Sequence, residues 1–214
     1  MFKNIVLIPS YNELSSLKKI LKYKSSNFKF LIIDDGSTDG TKNFLIKKKV
    51  NFLYNYKNLG YEKSLIKAFR HLSKKPSKID NVITFDADGE HKIKDILKVI
   101  NFQNKGCFDL IVCNRFKLIR NTEKILSFLF FAKFGIKDPL TGFKLYNFKK
   151  LKKIINMIEL NCFMADIVKI FVFKKYKVTN YLIKTNKIKA RKPRVGNGIK
   201  LNFKIFKIFK LFFN

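Results

Sequence analysis

Asn81-Val82-Ile83-Thr84-Phe85-Asp86-Ala87-Asp88-Gly89-Glu90-His91 joins a short apolar run to a cluster of charge. The run is rich in β-branched residues and reads as a buried strand that ends at Asp86. Two carboxylates one residue apart at a strand's C-terminal end converge on one spot. Left alone they repel each other and raise one pKa. A hard divalent cation, Mg²⁺ or Mn²⁺, relieves the repulsion, because it takes oxygen ligands and shares them readily with phosphates. Glu90 and His91 are close enough in sequence to help. A solvated acidic turn is the plainer reading of Asp-x-Asp alone. A second carboxylate pair, Asp34-Asp35, argues against it, because it ends another apolar run, Phe28 to Ile33. The chain has 15 acidic residues against 46 basic ones, and four of the 15 stand at two predicted strand ends.

Working outward, strand-like runs alternate with helical periodicity. Strands are expected at Ile5 to Ile8, Phe28 to Ile33, Val50 to Tyr54, Val82 to Phe85 and Leu110 to Cys113. Helices are expected at Leu14 to Tyr23, about Lys42 to Lys49, Asn58 to Leu72 and Ile93 to Asn101, where apolar residues recur at helical spacing. This order predicts an α/β fold, a Rossmann-like, doubly wound, mostly parallel sheet with flanking helices. Ligands of such sheets bind beyond the strands' carboxyl ends, where both carboxylate pairs fall. Asp34-Asp35-Gly36-Ser37-Thr38-Asp39-Gly40-Thr41 makes a tight turn into a helix. Ser37, Thr38 or Asp39 can cap that helix. Asp34 or Asp35 can accept a hydrogen bond from a nucleobase or ribose; a well-capped turn is the plainer alternative.

A chain of 214 residues predicts one domain with a real core. The formal charge of +31 points toward an anionic partner, nucleic acid or a membrane surface. Yet the excess is mostly Lys spread along the chain, alongside abundant Ile, Asn and Phe. All four have A/T-rich codons, so base composition explains part of it. The aromatics are mostly Phe in core-like runs, which argues against a nucleic-acid module built on base stacking. Cys107, Cys113 and Cys162 form no Cys-x-x-Cys pair and read as free buried thiols in a reducing compartment. No secretory leader is visible, and the apolar run 125–132 is far shorter than the roughly 18 residues that span a bilayer.

Pro9-Ser10-Tyr11-Asn12-Glu13, Asp34-Asp35-Gly36-Ser37, Asn58-x-Gly60, Asp86-x-Asp88-Gly89-Glu90-His91, Arg115 and Asp138-x-x-x-Gly142-Phe143 follow one another in a telling order. In order and spacing the series resembles the inverting family 2 glycosyltransferases of GT-A fold. It is most similar to the branch with dolichyl-phosphate mannose synthases and bacterial polyprenyl-phosphate glycosyltransferases. The resemblance implies that Pro9, Tyr11 and Glu13 flank the base and ribose of a sugar nucleotide, and that Asp35 contacts the base. It implies a metal pair, Asp86 and Asp88, with Glu90 where the branch often has a Gln ligand. Asp88 would bridge the cation to the diphosphate, Asp86 would sit beside the nucleotide, and Arg115 would hold a phosphate. Asp138 is a candidate general base for a hydroxyl acceptor; for a phosphate acceptor it positions groups instead.

The acceptor side departs from the family pattern. Lys144 stands where Arg is frequent, Asp166 where Glu is usual, and Glu62 where a small residue is usual. Arg191-Lys192-Pro193-Arg194 resembles an acceptor-phosphate region but lacks the Ser-Lys that commonly follows. Arg120, Lys144 and Arg194 are the expected acceptor-phosphate contacts. The resemblance thus implies a metal-dependent transfer from a GDP- or UDP-linked sugar to a polyprenyl phosphate. A saccharide or lipid-linked glycan acceptor, in lipopolysaccharide, capsule or exopolysaccharide synthesis, is the alternative. A non-catalytic nucleotide-binding relative is the reading from another class.

Residues 1–198 are expected to form the transferase domain and 199–214 a basic amphipathic helix. Lys200, Lys204, Lys207 and Lys210 share one arc of that helix, and Phe, Ile and Leu fill most of the rest. Such a helix suits an anionic bilayer surface, each Lys adding about 1 kcal/mol. Packing on the domain, a membrane subunit or a second copy of the chain is the alternative. The expected location is the cytoplasm, peripheral on the inner face of the cytoplasmic membrane.

Overall fold

The computed structural model describes residues 3–75, 78–118, 121–158 and 163–186. Arg120, Cys162, Arg194 and the predicted helix 199–214 lie outside the described residues.

The five expected strands form: β1 (Asn4–Ser10), β2 (Lys29–Asp34), β3 (Phe52–Tyr54), β4 (Asn81–Thr84) and β5 (Leu110–Arg115). The first four expected helices form as α1 (Leu14–Ile20), α2 (Thr41–Lys47), α3 (Tyr61–Ser73) and α4 (Lys94–Gly106). α3 starts three residues later than its periodicity suggests, because Asn58 to Gly60 are held as a loop by Asp35. The second half adds α5 (Asn121–Phe134), β6 (Lys144–Asn147), α6 (Phe148–Ile154), α7 (Phe163–Phe173) and β7 (Val178–Ile183) to the same sheet.

The seven strands lie in the order β3-β2-β1-β4-β6-β5-β7. β1 pairs in parallel with β2 and with β4, and β5 in parallel with β7. β6 is antiparallel to both of its neighbours, β4 and β5. That reversal matters for the site. Lys144, the first residue of β6, is in register with Thr84, the last of β4. The loop 138–143 therefore arrives at the same sheet edge as Asp86 and Asp88.

Strand alternation divides the core in two. Leu7, Ile33, Val82 and Val112 face a layer of α3, α5, α6 and α7. Val6, Ile8, Ile32, Ile83 and Ile111 face α1, α2 and α4. The parallel strands are buried on both faces, which is why they read as unbroken apolar runs. Of the cysteines, Cys113 is buried as expected, but Cys107 is exposed: it forms the left-handed C-cap of α4 (φ 49°), outside the packed layer.

Candidate active site

Three loops meet beyond the carboxyl ends of β1, β2 and β3. Asn12, itself at φ 55°, accepts a hydrogen bond from the Thr38 amide (2.8 Å) and donates its own amide to Ser37 Oγ (3.0 Å). Asp39 Oδ2 accepts from the Leu14 amide (2.9 Å), and its Oδ1 accepts from Thr41 Oγ1 (2.6 Å). These bonds outweigh the cost of burial and hold the Asp39 carboxyl below its ordinary pKa. Gly36 lies so close to the next loop that a Cβ there would sit 2.7 Å from the Lys57 carbonyl carbon. Pro9 is buried within β1, Glu13 is buried at the start of α1, and Tyr11 is exposed. Neither Pro9 nor Glu13 is laid open, so they shape this rim from beneath.

Asp35 corrects an expectation. Its carboxylate is buried and taken up by the protein itself. Oδ1 accepts from Asn55 Nδ2 (2.8 Å), Ser64 Oγ (2.8 Å) and the Leu59 amide (2.9 Å), and Oδ2 accepts from the Gly60 amide (2.8 Å). Asp35 thus fastens the loop 58–60 to the sheet, where a contact with the base was expected. Asp34 is fully buried; burial raises its pKa, and the hydrogen bonds from Ser37 oppose the rise.

At the β4 end, the Glu90 amide donates to Asp88 Oδ1 (3.0 Å) and ties the turn. Among the described residues no group of three His, Cys, Asp or Glu side chains is placed to hold a metal ion. Glu90 is drawn the other way, toward Arg115 (3.9 Å), which corrects its expected part in a three-carboxylate cluster. His91 is buried, and its ring packs edge-on against Phe143 (5.3 Å) and beside Phe85 (6.0 Å). Burial holds the His91 pKa low. Glu90 is pushed up to about 7, first by burial, then by Asp88 and Asp86, against the pull of Arg115. What remains for a cation is Asp86 and Asp88. Two hard carboxylates fit an ion that draws its other ligands from a diphosphate and water.

Arg115, at the end of β5, gathers three carboxylates, Asp138, Glu123 and Glu90. Its Nε and Nη2 reach the two oxygens of Asp138 (2.8 and 3.1 Å), and its amide also donates to Asp138 Oδ2 (3.2 Å). Glu123 of α5 lies 3.6 Å from Nη2. Burial disfavours the charged guanidinium, but Asp138, then Glu123 and Glu90, more than offset it and raise its pKa. Asp138 is therefore a gripped carboxylate, whereas a general base presents a free oxygen.

Lys144 also departs from its expected role at an acceptor phosphate. It is fully buried, and its ammonium donates to the carbonyls of Pro139 (2.9 Å) and Thr141, so it supports the 138–143 loop from inside. Burial lowers its pKa to about 7, with Asp138 and Asp86 opposing the fall. The loop presses on the Asp86–Asp88 pair: a Cβ on Gly142 would lie 2.0 Å from Asp86 Oδ2. The chain leaving β7 closes the other side, with the Asn186 amide donating to the Glu90 carbonyl (2.8 Å) and Asn186 Nδ2 to the Gly89 carbonyl (3.0 Å). Asn12, Asn55, Ser64, Glu123 and Asn186 were not singled out in the sequence. Glu123 alone carried a signal, as the lone acid of an apolar helix.

The family profile described as Glycosyl transferase family 2 matches residues 5–168. A UDP-N-acetylglucosamine–dolichyl-phosphate N-acetylglucosaminyltransferase of Methanococcus voltae is 27% identical, over 94% of this chain and 92% of its own. The dolichyl-phosphate beta-glucosyltransferase of Saccharomyces cerevisiae is 28% identical, over 76% of this chain and 60% of its own. Among solved structures, glucosyl-3-phosphoglycerate synthase of Mycobacterium tuberculosis, in complex with Mn²⁺, UDP and phosphoglyceric acid, superposes with a TM-score of 0.70. That match has 14% identity and covers 97% of this chain and 76% of the other. It establishes the GT-A fold for the sheet described above.

Proposed function

The chain belongs to glycosyl transferase family 2, and on that premise we propose that it moves a sugar from a nucleotide sugar to a polyprenyl phosphate at a membrane surface. The observation that carries the proposal is the meeting, at one sheet edge, of Asp86 and Asp88 with the Arg115–Asp138 fork and the loop pinned by Gly142. The loops knit by Asn12, Asp35 and Asp39 form the nucleotide side. Asp86 and Asp88 would hold a divalent cation, Mg²⁺ or Mn²⁺, which supplies charge neutralisation for the departing nucleoside diphosphate.

The reaction is a displacement at the anomeric carbon. An oxygen of the acceptor forms the new C–O bond as the bond to the diphosphate breaks, and the electron pair leaves with the nucleotide. A phosphate acceptor is already an anionic nucleophile and needs no proton removed. This is why the grip of Arg115 on both Asp138 oxygens favours phosphate over a saccharide hydroxyl, which needs a base. The names of the M. voltae and yeast relatives point to the same acceptor class. In this reading Asp138 keeps Arg115 extended toward the reacting groups, and Lys144 holds the loop between them. Attachment to the inner face of the cytoplasmic membrane follows from a lipid acceptor and a nucleotide donor.

Heat unfolding with GDP or UDP, each with and without Mn²⁺, tests the donor side. A rise in midpoint that needs both the metal and one nucleotide is expected. Transfer to polyprenyl phosphate but not to free saccharide tests the acceptor side. Transfer to saccharide alone would move the chain to the glycan-assembly reading, and no nucleotide response would make it a non-catalytic relative.

A further inference from the structure

Two explanations compete for Glu123. It stands in the first turn of α5, where an acid suits the positive end of a helix. An acid kept for that purpose acts well from solvent and gains nothing by burial. The Glu123 side chain is only 13% exposed and turns to Arg115, whose own side chain is 12% exposed. The remaining charges of α5 are Lys124 and Lys133, so this helix sends its one acid inward.

The outer edge of Arg115 is held by charge more than by directed bonds. A guanidinium carries five N–H donors on a rigid fork. Asp138 takes Nε and one donor of Nη2, at 2.8 and 3.1 Å. Glu90 lies 3.9 Å from Nη1 and Glu123 3.6 Å from Nη2. Both distances exceed an N–H···O hydrogen bond, about 2.7–3.2 Å. The two glutamates come from different places. Glu90 belongs to the turn that carries Asp86 and Asp88, and its backbone is fixed there by its amide bond to Asp88 (3.0 Å) and by the Asn186 amide on its carbonyl (2.8 Å). Glu123 reaches in from α5. Asp138 is the firm partner, since it also accepts from the Arg115 amide (3.2 Å).

We propose that Glu123 is a specificity-determining residue for the acceptor: its carboxylate occupies the outer edge of Arg115 until a phosphate oxygen of the acceptor displaces it. A phosphate can do so because charge-assisted bonds to a guanidinium are short and strong, whereas Glu123 stands beyond that distance. A neutral hydroxyl has no charge with which to compete, so the exchange favours an anionic acceptor. The exchange also lowers affinity for the anion, because the Glu123 charge must be driven from its cation and repels the incoming phosphate at short range. The inference rests on the phosphate-acceptor reading above. It adds a residue that sets the selectivity of that site against neutral acceptors.

The test is calorimetric titration of the full chain, wild type and Glu123→Gln, with a short-chain, water-soluble prenyl monophosphate and with the matching prenyl alcohol, without nucleotide sugar. Gln keeps the shape of the side chain and removes its charge. The variant is expected to bind the phosphate about tenfold more tightly and the alcohol with unchanged affinity. The sign matters, because a damaged fold weakens binding and cannot tighten it for one ligand alone. Phosphate affinity that is equal or weaker in the variant overturns the proposal, as does an equal gain for phosphate and alcohol, or phosphate binding by neither protein. Transfer to prenyl phosphate by the wild-type chain is read separately. Transfer with equal phosphate affinities in the two proteins overturns this inference alone, and a tenfold gain without transfer overturns the acceptor reading alone.

Discussion

Arg115 and Asp138 form a two-point ion pair, Nε to Oδ2 at 2.8 Å and Nη2 to Oδ1 at 3.1 Å, with their side chains 12% and 4% exposed. Removing one partner of such a pair strands a charge away from water. Asp138→Asn is expected to lower unfolding free energy by about 3 kcal/mol, measured by denaturant melts. Arg115→Met combined with Asp138→Leu should recover only a part of that loss, because the two charges of the pair go together while Glu123 and Glu90 lose their cation. Neither variant should transfer sugar.

Gly142 is held to hydrogen by Asp86. A methyl group there must displace the carboxylate or push the 138–143 loop away. Gly142→Ala should cost about 1–3 kcal/mol of stability as an overpacked site. It should also weaken the Mn²⁺-dependent response to nucleotide, because the carboxylate that moves is half of the proposed metal pair. Titration of Mn²⁺ at fixed nucleotide, read as melting midpoint, checks this.

Asp35 needs its donors. Asn55→Ala or Ser64→Ala removes one hydrogen bond from a buried carboxylate and is expected to destabilise the fold by about 1–3 kcal/mol. Both bonds lie behind the loop 58–60, so nucleotide affinity should fall in parallel as the loop loosens. Affinity unchanged in a destabilised variant would separate that loop from the nucleotide side.

The strands that lead to the Asp86–Asp88 pair and to Asp35 were legible because parallel strands buried on both faces leave unbroken apolar runs, and those runs stop at carboxylates. β6 was not, since Lys144-Leu145-Tyr146-Asn147 opens with a charged residue whose burial depends on carbonyls from the preceding loop. The residue types of the site were readable, but their partners were not. Asp35 finds donors 20 to 29 residues away, and Arg115 finds Asp138 at 23. Sequence spacing has no access to such pairings. That is also why Glu90 looked like a ligand and proved to face Arg115.

Lys144 gives a pH signature. Its pKa is lowered from 10.5 to about 7 by burial, so between those values the unfolded chain binds the extra proton. Stability attributable to this residue should therefore rise as pH increases from about 7 toward 10.5, and the burial penalty should be fully felt below 7. Lys144→Met removes that component. Melts of the two proteins across this range should converge at the alkaline end and diverge toward neutrality, with the variant the more stable of the pair there. A slope common to both proteins would assign the titration to another group.

Asp88 is the residue on which the metal-assisted reading stands. Its Oδ1 accepts from the Glu90 amide, a bond that an amide oxygen can also accept, so Asp88→Asn should keep the turn and leave the melting midpoint of the unliganded protein unchanged. On the proposed reading it removes one of the two negative charges that would face a cation, and with it the neutralisation of the leaving diphosphate. Turnover should fall by several orders of magnitude, and the midpoint rise caused by Mn²⁺ with nucleotide should vanish. Treating the wild-type chain with a chelator should give the same loss of response, reversed by added Mn²⁺. Full turnover in Asp88→Asn, or in chelated wild-type protein, would separate the reaction from the carboxylate pair at the end of β4.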